Sequence, residues 1–301
     1  MKRRLLVFLL SLWAIATLTF LLMRAIPGDP LAAEQAMPEA VMESLRSHYH
    51  LDEPLITQYF RYMGGLLKGD LGPSFTYKEQ TVAQIIARGF PISALLGAEA
   101  LLIALGSGIL LGAIGAFYRG QWRGRLAMGA ALLCICLPSF LLAALLQFIL
   151  AVKLPLLPVA RWGGFSHTLL PALALAALPM GFIARLVRTS LLEELPKEYL
   201  LLCRAKGLSE GVILWRHCLR GALLPLVSYL GPLIANISVG SFAVEKIFAI
   251  PGMGQWFVHA IYHRDYSLIM GLSLFYGVLL LVAIFFVDLA YRWLDPRISY
   301  G

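Results

Sequence analysis

The chain has 301 residues, of which 59% are hydrophobic and only 14% charged, with a mean hydropathy of +0.78. A soluble domain of this size carries about a quarter charged residues, and its core has no use for long unbroken apolar blocks. The formal net charge is +8. Lys and Arg sit at the ends of the apolar blocks rather than in a stripe interleaved with aromatics, which excludes nucleic acid as a partner and fits what membrane orientation requires.

Six blocks reach the ~20 residues that a helix needs to cross hydrocarbon: 5–23, 94–118, 126–152, 168–186, 222–244 and 267–294. In lipid the backbone must satisfy its own hydrogen bonds, so each block is predicted helical. The fold class is all-α: a polytopic membrane protein with six transmembrane helices and an external helical segment after the first span. The expected divisions are a first transmembrane helix at 1–23, an extracytoplasmic segment at 24–93, and a five-helix transmembrane core at 94–301 that contains a cytoplasmic segment at 195–221.

The first block follows Lys2, Arg3 and Arg4 like a signal peptide. It is long enough to span, and no small-residue cleavage site precedes Arg24 and the Pro27-Gly28 turn, so a retained span is expected. Pro27-Gly28-Asp29-Pro30 ends it. Residues 32–50 read as a short amphipathic helix, with Leu45 and Tyr49 at helical spacing. Asp52-Glu53-Pro54 restarts the chain for a second helix over 55–67, and Gly69 to Pro73 form a loop. Two readings of this outer segment stand side by side: pure packing, or a docking surface.

Within the spans, Glu99 and Asp288 are ionisable and therefore candidates for the transport pathway or for intramembrane pairing. Gly108 and Gly112 form a GxxxG that permits close helix approach, within this chain or to another. Pro138, Pro171, Pro179, Pro225 and Pro232 can bend their helices. Cys134 and Cys136 lie two apart and so point to different helix faces. With Cys203 and Cys218 they indicate neither a disulfide framework nor a metal site.

About 36 residues separate the fourth and fifth spans, long for a connector. Pro196 suits a helix start, and Gly207 a helix end with Arg204 and Lys206 in its last turn. Ser209 can cap a following helix, with Glu210 in its first turn. The prediction is helix, tight turn, and a second helix to about Gly221. Leu200, Leu201, Leu202, Cys203 and Val212 to Trp215 are too apolar for a free loop. They are buried against the chain's own helices, or they fill a cleft on a soluble partner.

Near the last span, His259 and His263 share a helical face, but Ala260 stands where H-E-x-x-H needs its glutamate. Outer-surface contact is expected of them, and no metal. Arg264 and Asp265 read as solvated loop charges. For orientation, fifteen Lys and Arg fall in short flanks on one side, against four on the other. Both termini are therefore predicted in the cytoplasm.

Tyr199 to Gly207, then Leu208-Ser209-Glu210, Leu214-Trp215-Arg216-His217 and Ala222-Leu223-Leu224-Pro225 resemble the coupling loop of binding-protein-dependent ABC importer permeases, the oligopeptide and dipeptide branch in particular. Phe20 to Pro30, Glu245 to Gly254, Arg264-Asp265-Tyr266, and Asp288 through Asp295-Pro296-Arg297 agree with that branch in the same order. The resemblance implies that Glu198, Tyr199, Arg204, Ala205, Lys206, Gly207, Leu208 and Ser209 couple the chain to an ATPase. It also implies a place in the bacterial cytoplasmic (inner) membrane, two ATPase subunits, a second homologous permease and an extracytoplasmic solute-binding protein; docking of that protein is the alternative reading of Arg264 and Asp265. Short peptides are the expected substrate, with glutathione, nickel chelates and peptide-like toxins as alternatives in the branch. Leu202 and Cys203 depart from the small residues usual before the loop glycine, and Leu95 replaces a usual carboxylate, with Glu99 one turn on.

The chain contains no Gly-Lys dipeptide and hence no G-x-x-x-x-G-K-[ST]. No cofactor is expected on it, and ATP and Mg belong on the partner ATPase subunits. Two rival classes are an intramembrane enzyme, for which no complete zinc motif appears, and a structural assembly protein, which has no need of an apolar cytoplasmic helix pair.

Overall fold

The computed structural model describes residues 2–26, 43, 46–47, 50–77 and 80–294, apart from the side chains of 2–5, 215, 220, 288 and 290–294. The helix expected at 32–50, the turn at 27–30 and the C-terminal 295–297 lie wholly or almost wholly outside the described residues. Among those described, the chain is helical, with one isolated antiparallel bridge between Pro73 and Thr81.

In chain order the elements are α1 (Lys2–Ala25), α2 (Leu55–Leu67), α3 (Val82–Phe117), α4 (Trp122–Cys136) and α5 (Ser139–Leu146), which runs on as π-helical turns over Gln147–Lys153. They continue with α6 (Phe165–Glu194), α7 (Glu198–Ala205) and α8 (210–222), a run that opens at Glu210–Val212, widens into π-helical turns over Ile213–Cys218 and closes as Leu219–Ala222. Last come α9 (Leu224–Ser238), α10 (Phe242–Ile247), α11 (Met253–Tyr262) and α12 (Tyr266–Leu294). Among the described residues, five stretches are long and apolar enough to cross a membrane: Leu6–Ala25, Val82–Phe117, Phe165–Glu194, Leu224–Ile247, which joins α9 and α10, and Tyr266–Val287.

The third expected span is a broken one. α4 and the helix starting at Ser139 meet at 107°. Leu137 is extended at φ −84°, ψ 120°, as the residue before a proline is driven to be. Pro138 thus separates two short helices. Prolines inside α6, at Pro171 and Pro179, leave it continuous over 30 residues. The second span also begins earlier than its hydropathy suggests. α3 starts at Val82 and carries Pro91 in its interior, so the helix enters the segment expected to be external.

The chain divides into two compact units, 1–92 with 252–281, and 93–251 with 282–301. In the first, Val82, Ile85 and Ile86 of α3 pack with Met253 and Ala260 of α11 and Leu268, Ile269 and Leu272 of α12. Phe90 meets Phe275 edge-on at 4.9 Å between ring centroids, and Tyr77 meets Trp256 at 5.0 Å. Helices in lipid gain little from apolar burial itself, so small residues at contacts decide how closely they pack.

In the second unit α6 is the central helix, burying Ala172, Ala174, Ala176, Ala177, Gly181 and Ala184. The GxxxG of α3 faces it. A Cβ at Gly108 would stand 2.9 Å from the Met180 carbonyl oxygen, and one at Gly112 only 2.6 Å from that of Ala184. The motif is therefore spent on an intrachain contact. Gly181 makes the same kind of approach from α6 to α4, at 2.5 Å from the Ala131 carbonyl oxygen.

Candidate functional site

The segment after α6 folds as a two-helix elbow. α7 is only eight residues long, too short to hold in water by itself. It stands because Leu200 on its inner face is fully buried, as are Ile213 and Cys218 of α8. Gly207 closes it at φ +76°, a left-handed conformation costing other residues about 1–2 kcal/mol. There its N–H donates to the Arg204 carbonyl at 2.9 Å. Ser209 occupies the N-cap position of α8 with extended backbone, but its hydroxyl makes no capping bond.

Two polar clusters fix the elbow. Across the turn the Arg204 guanidinium grips Glu210, with Nε to Oε1 at 2.9 Å and Nη2 to Oε2 at 3.4 Å. That bond holds Glu210 below its ordinary carboxylate value and Arg204 above its own. At the foot of the elbow Glu194, the last residue of α6, accepts hydrogen bonds from Lys197 Nζ and, at 2.8 Å, from Tyr199 Oη. Partial burial first and this bond second push the Tyr199 phenol above its ordinary value. Gly221 of α8 lies so close that a Cβ there would stand 2.7 Å from Glu194 Oε1. Glu194 therefore ties the end of a spanning helix to both arms of the elbow.

The outer face is bare. Leu201 and Leu202 are 60% and 58% exposed. Leu208 and Val212 continue the apolar surface across the turn. Glu198, Ala205 and Lys206 are also exposed. The apolar residues therefore divide by burial: Leu200, Ile213 and Leu214 turn inward, Leu201 and Leu202 outward.

The other candidates do not converge on one place. Glu99 is half-buried on α3, and its Oε2 is buried without a hydrogen-bond partner among the described residues. Leu95, one turn earlier, is exposed. Asp288 lies on α12, its side chain outside the described residues. His259 and His263 stack with ring centroids 6.1 Å apart. No group of three or more His, Cys, Asp or Glu that could hold a metal occurs among the described residues.

Asp265 requires a correction. It is fully buried rather than solvated. One carboxylate oxygen accepts from the Leu268 N–H at 3.0 Å and so caps α12. The other accepts from the Ser74 hydroxyl and from the Thr76 N–H at 3.1 Å. Arg264 is exposed with φ +54°. An aspartate just before a helix start is a capping signal that could have found the first of these bonds. Glu245 is a second buried carboxylate the sequence reading passed over, accepting from the Ser93 hydroxyl at 2.7 Å. Glu194 was missed as well, because only the phase of α6 distinguishes it from its neighbour Glu193.

Gly207 to Gly211 also spells G-x-S-x-G. A nucleophile elbow needs a strand before its serine, whereas α7 precedes Ser209 and the hydroxyl sits on an open helix start. The string carries no catalytic geometry.

Comparison with known proteins agrees with the fold. Residues 108–300 match the family described as Binding-protein-dependent transport system inner membrane component, and residues 1–97 match Binding-prot-dependent transport system membrane comp, N-term. The dipeptide transport system permease protein DppB of Bacillus subtilis (strain 168) is 47% identical over 96% of this chain and 94% of its own length. The oligopeptide transport system permease protein OppB of Salmonella typhimurium is 40% identical over 99% of this chain and 98% of its own. Among solved structures, an inward-facing MetNI methionine ABC transporter aligns with TM-score 0.52 at 20% identity, covering 70% of this chain and 96% of that one, a likeness of fold. With family matches over both parts of the chain and relatives similar along nearly all of it, the protein belongs to the inner-membrane permease components of binding-protein-dependent ABC transport systems.

Proposed function

We propose that the chain is the membrane-spanning permease subunit of an importer of short peptides, fed by an extracytoplasmic solute-binding protein and driven by two ATPase subunits. The observation that carries the peptide reading is its similarity, over nearly its whole length, to a dipeptide and an oligopeptide permease. The chain pairs with a second homologous permease, and both termini face the cytoplasm, as the Lys and Arg distribution requires. The segment 195–221 then lies on the ATPase side.

The elbow suits the transfer of force. Leu201, Leu202, Leu208 and Val212 offer an apolar knob to a cleft on the ATPase subunit. Tyr199, Arg204 and Gly207 give that knob its shape, with Glu198, Ala205, Lys206 and Ser209 around it. Closure of two ATPase subunits around ATP and Mg would press the knobs together. A push on α7 passes into α6 through the Tyr199–Glu194 bond and, by way of the packing of α7 on α8, through the last turn of α8, which lies on α6. α6 in turn is locked to α3 at Gly108 and Gly112 and to α4 at Gly181. Small residues at these crossings keep the helices in backbone contact, so they move together rather than compress. Glu99, with an oxygen buried and unpaired, either lines the pathway or meets a cation on the second permease. Asp288 is a further candidate for intramembrane pairing.

The test is co-purification with the products of the neighbouring genes, followed by peptide uptake into proteoliposomes. ATP- and binding-protein-dependent accumulation of labelled short peptides is the expected result. Uptake of a metal chelate or glutathione without peptide would defeat the peptide reading. Recovery of the chain without ATPase subunits would defeat the importer reading.

A further inference from the structure

α2 presents three faces. Gln58, Tyr59 and Tyr62 turn inward. Tyr59 Oη and Thr17 Oγ1 of α1 share a hydrogen bond at 2.9 Å. Phe20 of α1 lies edge-on to Tyr59 at 5.5 Å and stacked on Tyr62 at 5.8 Å. Thr57, Arg61 and Lys68 form a polar stripe, with Arg61 bonded back to Glu53 at 2.6 Å. The remaining stripe is Ile56, Phe60, Met63 and Leu67, of which Ile56 is 73%, Phe60 68% and Leu67 90% exposed. That is an amphipathic helix with its apolar face open.

Depth decides what meets this face. The apolar run of α1 ends at Met23, before Arg24. Thr17 and Phe20 stand six and three residues inside that end, or ~9 and ~4.5 Å along the axis at the rise of an α-helix. A helix fastened to α1 at those residues is seated at the depth where amphipathic helices lie, about 5–10 Å into the headgroup–acyl boundary. At the same level α1 exposes Leu18, Leu21 and Leu22, as a spanning helix does to lipid. Tyr59 and Tyr62 are side chains suited to this zone, and α2 contains no acid.

The geometry points to α2 as an interfacial helix set into the bilayer leaflet at the Met23 end of α1, the outer leaflet in the orientation proposed above, with Ile56, Phe60 and Leu67 among the acyl chains. Its occupant is lipid rather than the solute-binding protein or the second permease. The inference needs α1 to span but does not depend on the elbow's role. It is tested by placing a photo-reactive benzoylphenylalanine at Ile56, Phe60, Arg61 or Lys68 in the full chain. The assembled complex is held in nanodiscs of phosphatidylethanolamine and phosphatidylglycerol, with the binding protein present. Mass spectrometry is expected to find lipid adducts at 56 and 60, at least tenfold above those at 61 and 68. Adducts at 56 and 60 made chiefly to the binding protein or the second permease would overturn the assignment, and so would equal lipid labelling at all four positions. Two apolar positions are used so that failure of one variant to assemble leaves the other to decide.

Discussion

Replacing Gly207 separates the shape of the elbow from what it touches. A Cβ added there meets nothing within 4 Å, so the constraint is the left-handed φ of +76° and not crowding. A residue with a Cβ is strained by about 1–2 kcal/mol in that region, which lowers the population of the native turn roughly 5- to 30-fold. Asparagine tolerates the conformation best of the non-glycine residues. Proline cannot adopt it and removes the N–H that bonds the Arg204 carbonyl. The expected order of damage is Asn, then Ala, then Val, then Pro, read as peptide accumulated per ATP hydrolysed in proteoliposomes. Gly207→Trp adds a second effect, because open space at this position means that its bulk would strike the docking partner. Uptake per ATP that is unchanged in an assembled Gly207→Pro complex would refute the reasoning. An order that follows side-chain volume alone would show that docking, and not turn geometry, is what the glycine protects.

Other outcomes follow from contacts elsewhere. Gly112→Leu collides with the Ala184 carbonyl and should destabilise the chain by about 1–3 kcal/mol, lowering its melting temperature in detergent; Gly106→Leu, with nothing within 4 Å of the added carbon, should not. Asp265→Asn turns an amide towards donors that need an acceptor and should cost about 1–3 kcal/mol, seen as faster proteolysis around 70–81. Glu210, held below its ordinary value by Arg204, contributes fully above about 4.5 and loses its contribution as pH falls through the lowered value. Hydrogen exchange over 200–212 should therefore accelerate, after correction for its intrinsic pH dependence, only at pH below the ordinary carboxylate range, and should become pH-independent in Arg204→Ala.

Much of this architecture was legible in the sequence because the signals are local. Span position follows from apolar length, the α2 boundaries from Pro54 and the glycine after Lys68, and the elbow turn from Gly207. What was not legible depends on distant partners. The second apolar block begins at 94, yet α3 starts twelve residues earlier because Val82, Ile85 and Ile86 find a core on α11 and α12. Asp265 looks like a loop charge until Ser74, 191 residues away in sequence, donates to it. Pro138 announces a bend, but not a bend of 107°. The residues proposed for coupling stand out in the sequence as a pattern. Which leucines point outward does not show there, because burial on α7 is set by its contact with α8.

The central claim is that the elbow carries motion made by another polypeptide. Leu202→Cys, on the exposed face of α7, can be crosslinked reversibly to an engineered cysteine on the ATPase subunit in the assembled importer. The account predicts that the crosslink forms, that it stops peptide uptake, and that reduction restores uptake. A Leu202→Cys that stays fully reactive to a water-soluble thiol reagent in the assembled complex, with uptake untouched by modification, would contradict it.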